Sequence, residues 1–226
     1  MAFTGFARDA MGFWHELATE MNRDWFLENK QRYEETWVQP MTALLDGVAV
    51  KLAPAYPKMK LAPPKVMRIN RDVRFSKDKS PYKTWIGASL RLGEHKQPMD
   101  GVTALYLHFG IEEEFAGSGR YVFEDAALAK WRKKVADNKT GPEIAKLVAG
   151  LRKAGYSLHA FESLQRVPKP YDAEHPRAEL LKMKGLVVEF PETPRGLIHK
   201  PAFTDWLVKH AKAAAPMNRW LKRNLG

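Results

Sequence analysis

Hydrophobic positions along this chain follow a helical period first and a strand period later, and the change falls near residue 65. A first helix is expected over about residues 9–20. Asn22 then stands as an N-cap with Asp24 in the first turn, and Phe26, Lys30, Tyr33 and Trp37 fall on one helical face that is mostly core. Pro40 fits a first-turn position, after which Met41, Leu44, Leu45, Val48 and Leu52 recur at helical spacing until Pro54 and Pro57 stop the run. Three helices are thus expected before the first strand.

From Val66 to Phe75 the period becomes 2, with Met67, Ile69, Val73 and Phe75 apolar while Arg68, Asn70, Asp72 and Arg74 take the alternate positions. Ile86, Ala88, Leu90 and Leu92 alternate in a second strand. Residues 102–109 are apolar on both faces, as in a central strand. Gly, Pro and Asp in residues 93–100 mark a hairpin loop, so these strands are expected to be antiparallel neighbours. Gly117, Ser118 and Gly119 read as a turn before residues 121–123.

Glu124 and Asp125 open a helix with Leu128, Trp131 and Val135 on one face, and Gly141 and Pro142 separate it from another that ends near Ala154. Short strands near 157–161 and 186–190 flank a proline-bearing loop at 167–176 and a short helix ending at Gly185. Pro201 and Pro216 are expected to start terminal helices carrying Phe203, Trp206 and Leu207, then Trp220 and Leu221. Neither a repeat nor a dividing linker is visible. The expectation is one α+β domain over 1–226 with a mostly antiparallel sheet and helices packed against it: helices over about 9–53, a sheet-rich middle over about 65–123, and a mixed C-terminal part.

Composition narrows the class. A chain of 226 residues, 45% hydrophobic with 7 Trp and 11 Phe, can bury a sizeable core, which excludes global disorder. The longest apolar stretch, 41–52, is broken by Asp46 and Lys51, far short of the roughly 18 apolar residues of a membrane span, so no membrane partner is expected. Residues 1–14 carry no basic and apolar regions of a secretory signal, and cysteine is absent; a cytoplasmic location is the expectation. The formal charge of +11 is polarised. Residues 1–40 hold four basic and seven acidic side chains, a net of −3, whereas residues 195–226 hold seven basic ones against Asp205, a net of +6.

One segment concentrates the candidate chemistry. Between Arg68 and Thr84, Arg68, Arg71, Arg74, Lys77, Lys79 and Lys83 oppose only Asp72 and Asp78, a net of +4 in seventeen residues. If the strand runs through Phe75, Arg71 lies on the apolar face between Ile69 and Val73, where an unpaired guanidinium is costly. Its partner is then either a buried carboxylate, for example from the acidic first helices, or a ligand anion. Pro81 keeps Ser80 out of helix, which leaves Ser76, Lys77, Lys79 and Lys83 on or beside a loop whose hydroxyl, N–H and ammonium groups suit phosphate or carboxylate, with Tyr82 or Trp85 offering a stacking face. No glycine-rich turn with Gly-Lys-Ser or Gly-Lys-Thr is present, so this is not a Walker loop.

The same residues resemble a known family, the uncharacterised bacterial and fungal proteins grouped as domain of unknown function 2461. Carrying the resemblance are Asn22-Arg23-Asp24-Trp25-Phe26 with Asn29, Lys30 and Tyr33, then Arg71 to Ser76 and Asp78 to Thr84. Gly117 to Tyr121, Lys169-Pro170-Tyr171, His175-Pro176 and Leu180-Leu181-Lys182 add to it. Met21 departs from the Asn-Asn-Arg pattern at its first position. The resemblance implies a single domain and supplies no reaction.

Other constellations are weaker. The seven histidines form no metal-ligand spacing, so neither metal nor cofactor is expected, and His108 on its strand reads as a satisfied core residue. Asp72 and Asp78, set among arginines, read as ion-pair partners rather than an acid and a base. Trp25, Trp131, Trp206 and Trp220 read as core. The leading expectation is binding of a phosphate-bearing ligand or nucleic acid through residues 68–84. The alternatives are an enzyme acting on a phosphate or carboxylate substrate in the same cleft, and a purely structural motif.

Overall fold

The computed structural model describes residues 2–74, 77–93 and 101–226. Its N-terminal part is helical: α1 (Ala10–Glu20), α2 (Arg23–Glu28), α3 (Lys30–Tyr33) and α4 (Gln39–Leu52). Asn22 caps α2 as expected, its Oδ1 accepting from the Trp25 N–H at 2.9 Å. Pro40 takes the expected first-turn position of α4, although no break separates α4 from α3. Glu34–Val38 form a π-helical turn that joins α3 to α4 without a break, and the Gln39 N–H bonds to the Glu34 carbonyl five residues back. The wider turn accommodates a proline that cannot donate to the carbonyl four residues before it.

Six strands follow, β1 (Lys65–Val66), β2 (Trp85–Arg91), β3 (Thr103–Gly110), β4 (Glu114–Arg120), β5 (Ser157–His159) and β6 (Leu186–Glu189). They form one antiparallel sheet in the order β1-β2-β3-β4-β6-β5. Helices α5 (Asp125–Ala136), α6 (Gly141–Lys153), α7 (Ala178–Lys182) and α8 (Phe203–Leu225) complete the fold. This is the expected α+β architecture. Helix α4 packs on β1 and β2, α8 on β3 and β4, and α6 on β5. Ile86, Ala88, Leu90, Leu105, Leu107, Phe109, Leu186 and Val188 are all buried there at 2% exposure or less. The alternate positions, among them Trp85, Gly87, Tyr106, His108 and Phe115, line the opposite face.

Three expectations need correction. The strand expected over 66–75 forms only at its start: Val66 belongs to β1, pairing with β2 ends after the Met67 N–H reaches the Gly87 carbonyl, and residues 67–74 carry no further strand. The chain then folds back on itself, with Asn70 bridged to Tyr82, the Arg71 N–H on the Pro81 carbonyl and the Lys83 N–H on the Ile69 carbonyl. Alternation alone specifies a pleated stretch and not the partner it pairs with. Val73, assigned to the apolar face, is 39% exposed, and Phe75 lies outside the described residues. Second, Gly117, Ser118 and Gly119 are not a turn but the middle of β4. Gly119 has φ +137°, and a Cβ there would come within 2.2 Å of the Leu186 carbonyl, so glycine lets β6 approach. Third, Pro216 starts no helix and lies inside α8, whose buried Ala214, Ala215, Met217, Trp220 and Leu221 hold it through the proline. The expected hairpin loop at 93–100 falls, beyond Gly93, outside the described residues.

Candidate functional site: two clefts beside residues 68–84

The fold-back of residues 68–84 separates two clefts, and their chemistry differs. The larger, about 430 Å³ and open, lies between α2, α3 and residues 66–70. Arg23 and Lys30 line it from the helices and Arg68 from the opposite wall, against a single carboxylate, Glu34. The capped start of α2 fixes the backbone at Arg23. The Phe26 and Tyr82 rings meet at a tilt with centroids 4.5 Å apart, and Val38, Val66 and Met67 supply apolar wall. Burial raises the pKa of the Tyr33 phenol well above its ordinary value, with Glu34 adding to the effect, so it stays protonated.

Between the clefts, the segment satisfies much of its own charge. Arg71 is largely buried, its side chain 20% exposed, and its Nη2 meets Asp78 at 2.9 Å. Its Nε donates to Ser80 Oγ and its Nη2 also to the Tyr82 carbonyl, each at 3.2 Å. The carboxylate partner is therefore local and does not come from the acidic first helices, because the loop returns Asp78 to Arg71. Asp78 has its pKa lowered chiefly by the Ser80 N–H. Arg74 chelates Asp72 through Nε and Nη2 at 2.9 and 2.8 Å, which lowers the Asp72 carboxyl to about 2. Arg68 lies 3.7 Å from the same carboxylate. Lys83 donates to the Arg68 carbonyl at 2.8 Å and lies 4.7 Å over the Trp85 ring. Its pKa is lowered, first by burial and then by repulsion from Arg68 and Arg71, which marks a positive local field.

The smaller cleft, about 260 Å³, has Arg71, Asp78, Ser80 and Thr84 on one side and Trp85, His108, Glu112 and Glu113 on the other. His108 is 6% exposed, with its ring 4.5 Å from Trp85 and stacked on Phe115 at 4.9 Å. Burial lowers its pKa against the opposing pull of Glu113. Gly110 keeps this corner open, since a Cβ there would come within 2.6 Å of the Trp85 Cβ.

The sequence-expected site residues are thus dispersed. Arg68 and Tyr82 border the larger cleft and Arg71 the smaller, while Arg74, Lys77 and Lys79 are exposed on the loop between, Lys79 donating to the Val73 carbonyl at 2.7 Å. Ser76 lies outside the described residues. Tyr82 is no open stacking face: it is 5% exposed and packed on Phe26. Sequence reasoning passed over Arg23, Lys30, His108 and Glu113 as site residues. The available signal was Lys30, a charge set within an otherwise apolar helical stripe.

Among the described residues, no three or more His, Asp or Glu side chains are grouped to hold a metal, and no helix is long and apolar enough to cross a membrane. An antiparallel sheet with helices against it, edged by an arginine-rich fold-back, defines the class. Within it, the chain belongs to the conserved hypothetical protein family DUF2461, whose model matches residues 9–220. No curated protein and no solved structure matches the chain.

Proposed function

We propose that the larger cleft binds an anionic, phosphate-bearing ligand, with Arg23, Lys30 and Arg68 as its cationic contacts. One observation carries this reading: cations from three separate segments line one open cleft against Glu34 alone, and Arg23 and Lys30 have no ion pair among the described residues. Guanidinium forks match phosphate oxygens in a way that a single ammonium does not. The mixed wall of Phe26, Leu27, Val38 and Met67 favours a ligand with an apolar or aromatic body over bare phosphate.

Titration calorimetry with inorganic phosphate and with a nucleoside monophosphate tests this. The nucleotide is expected to bind more tightly, and Arg23→Gln, Lys30→Gln and Arg68→Gln each to weaken it by about ten- to a hundredfold, the worth of a charged hydrogen bond. Undiminished affinity in the triple variant would refute the site. A nucleic-acid ligand is a second outcome, favoured by the exposed Arg74, Lys77 and Lys79 beside the cleft. Single-stranded DNA would then bind with a steep salt dependence that replacing those three residues flattens.

A further inference from the structure

The smaller cleft has the opposite electrostatic character. Its charged lining is Arg71 against Asp78, Glu112 and Glu113, and Arg71 is already paired with Asp78 at 2.9 Å. Two carboxylates on the β3–β4 turn therefore face a cleft in a chain of formal charge +11. At its floor, the His108 ring is clamped between Trp85 and Phe115. Its Nδ1 lies 3.4 Å from the Tyr106 hydroxyl, which does not line the cleft. Its Nε2 points the other way, 3.4 Å from where a Gly110 side chain would begin and 3.6 Å from Glu113 Oε1. That separation is beyond hydrogen-bond range, and Nε2 has no hydrogen-bond partner among the described residues.

The imidazole is 6% exposed, and its Nε2 meets the polar cleft without a hydrogen bond from the protein, so it is available to a ligand group. With the Nδ1 proton donated to the Tyr106 oxygen, Nε2 presents a lone pair, and the cleft then offers an acceptor nitrogen and an acceptor carboxylate 3.6 Å apart. One donor-rich cationic centre bridges such a pair. We propose that this cleft binds an organic ammonium ion, its N–H groups on His108 Nε2 and Glu113 and its methylenes against Met21 and Ile111. Glu112 adds negative field, and burial keeps the imidazole uncharged so that it does not repel the ligand. The site is independent of the anion cleft.

Calorimetry at low ionic strength with spermidine, with N-acetyl-lysine methylamide, and with choline, which has no N–H, tests the proposal. The amines are expected to bind at least about tenfold more tightly than choline. Spermidine alone binding marks a free polyamine as the source, and the lysine amide binding as well marks a basic side chain. His108→Phe, which keeps the aromatic stack, and Glu113→Gln should each weaken binding about tenfold, while Arg23→Gln leaves it unchanged. If His108→Phe does not fold, Glu113→Gln on its exposed turn decides. Failure of both amines to bind, equal binding of choline, or parental affinity in a folded Glu113→Gln variant overturns the proposal.

Discussion

Arg71 and Arg74 stand three residues apart in one basic run, yet their surroundings give them different roles. Arg71 ties the two arms of the fold-back together through Asp78, Ser80 and the Tyr82 carbonyl. Arg74 lies over Asp72 in solvent, its side chain 73% exposed. Arg71→Met should therefore lower stability by about 1–3 kcal/mol, the range for hydrogen bonds to a charged group. The larger cost of stranding a buried carboxylate does not apply, because Asp78 is itself exposed. Arg74→Gln should leave the melting transition in place, since exposed ion pairs contribute little. Urea denaturation of the two variants separates the roles; equal losses would contradict them. The inward position of Arg71 is readable from its buried neighbour Ile69, although strand pairing stops short of both and Val73 turns out to solvent. Its partner was not readable, because only the closed loop brings Asp78 back to it.

At the level of elements, helices announced themselves more faithfully than strand pairings did. The stripe of Met41, Leu44, Leu45, Val48 and Leu52 became the buried face of α4, and Asn22 capped α2, because both depend on neighbours within a few residues. Pro216 and the glycines of β4 misled for the complementary reason: long-range packing decided what local preference could not. Helix α8 is held to β4 and to the end of the N-terminal helices by Asn218, which is fully buried and donates to Tyr56 Oη at 2.9 Å and Ser118 Oγ at 2.6 Å. Asn218→Ala removes both bonds and leaves a cavity among three elements. A loss of about 2–4 kcal/mol is expected in equilibrium unfolding. A loss below about 1 kcal/mol would mean that the network contributes little beyond packing.

For the molecule as a whole, the buried imidazoles set a dependence on acid. His108 has its pKa lowered by burial, and His210, held by Tyr156 at 2.9 Å, by burial and then by Lys209. Both fall below the ordinary value of 6.5, so in the window beneath it the unfolded chain binds more protons than the folded one. Stability should decline as the pH falls through 6.5 and reach its full loss below the folded values. Urea midpoints measured against pH should show this slope, and His108→Phe together with His210→Phe should flatten it. A slope unchanged in the double variant would place the acid sensitivity elsewhere. The clefts themselves were only partly foreseeable: the basic run located their shared wall, whereas Arg23, Lys30 and Glu113 reach them from elements distant in sequence.

The position of α8 has a consequence for how the protein is made. Its residues 203–225 pack on α4, α5, α6, β3 and β4, which places the last element of the chain against elements from nearly every earlier part of it. On the ribosome, the N-terminal helices and the β2–β3–β4 meander emerge first, and their contacts with one another are local enough to form early. Helix α4 can cover β1 and β2, but the apolar face over β3 and β4 is not fully covered until α8 has cleared the exit tunnel. During this interval the nascent chain is expected to expose Leu105 and Leu107 to whatever binds hydrophobic strands, so a chaperone that recognises such strands would engage it until residues 203–225 emerge.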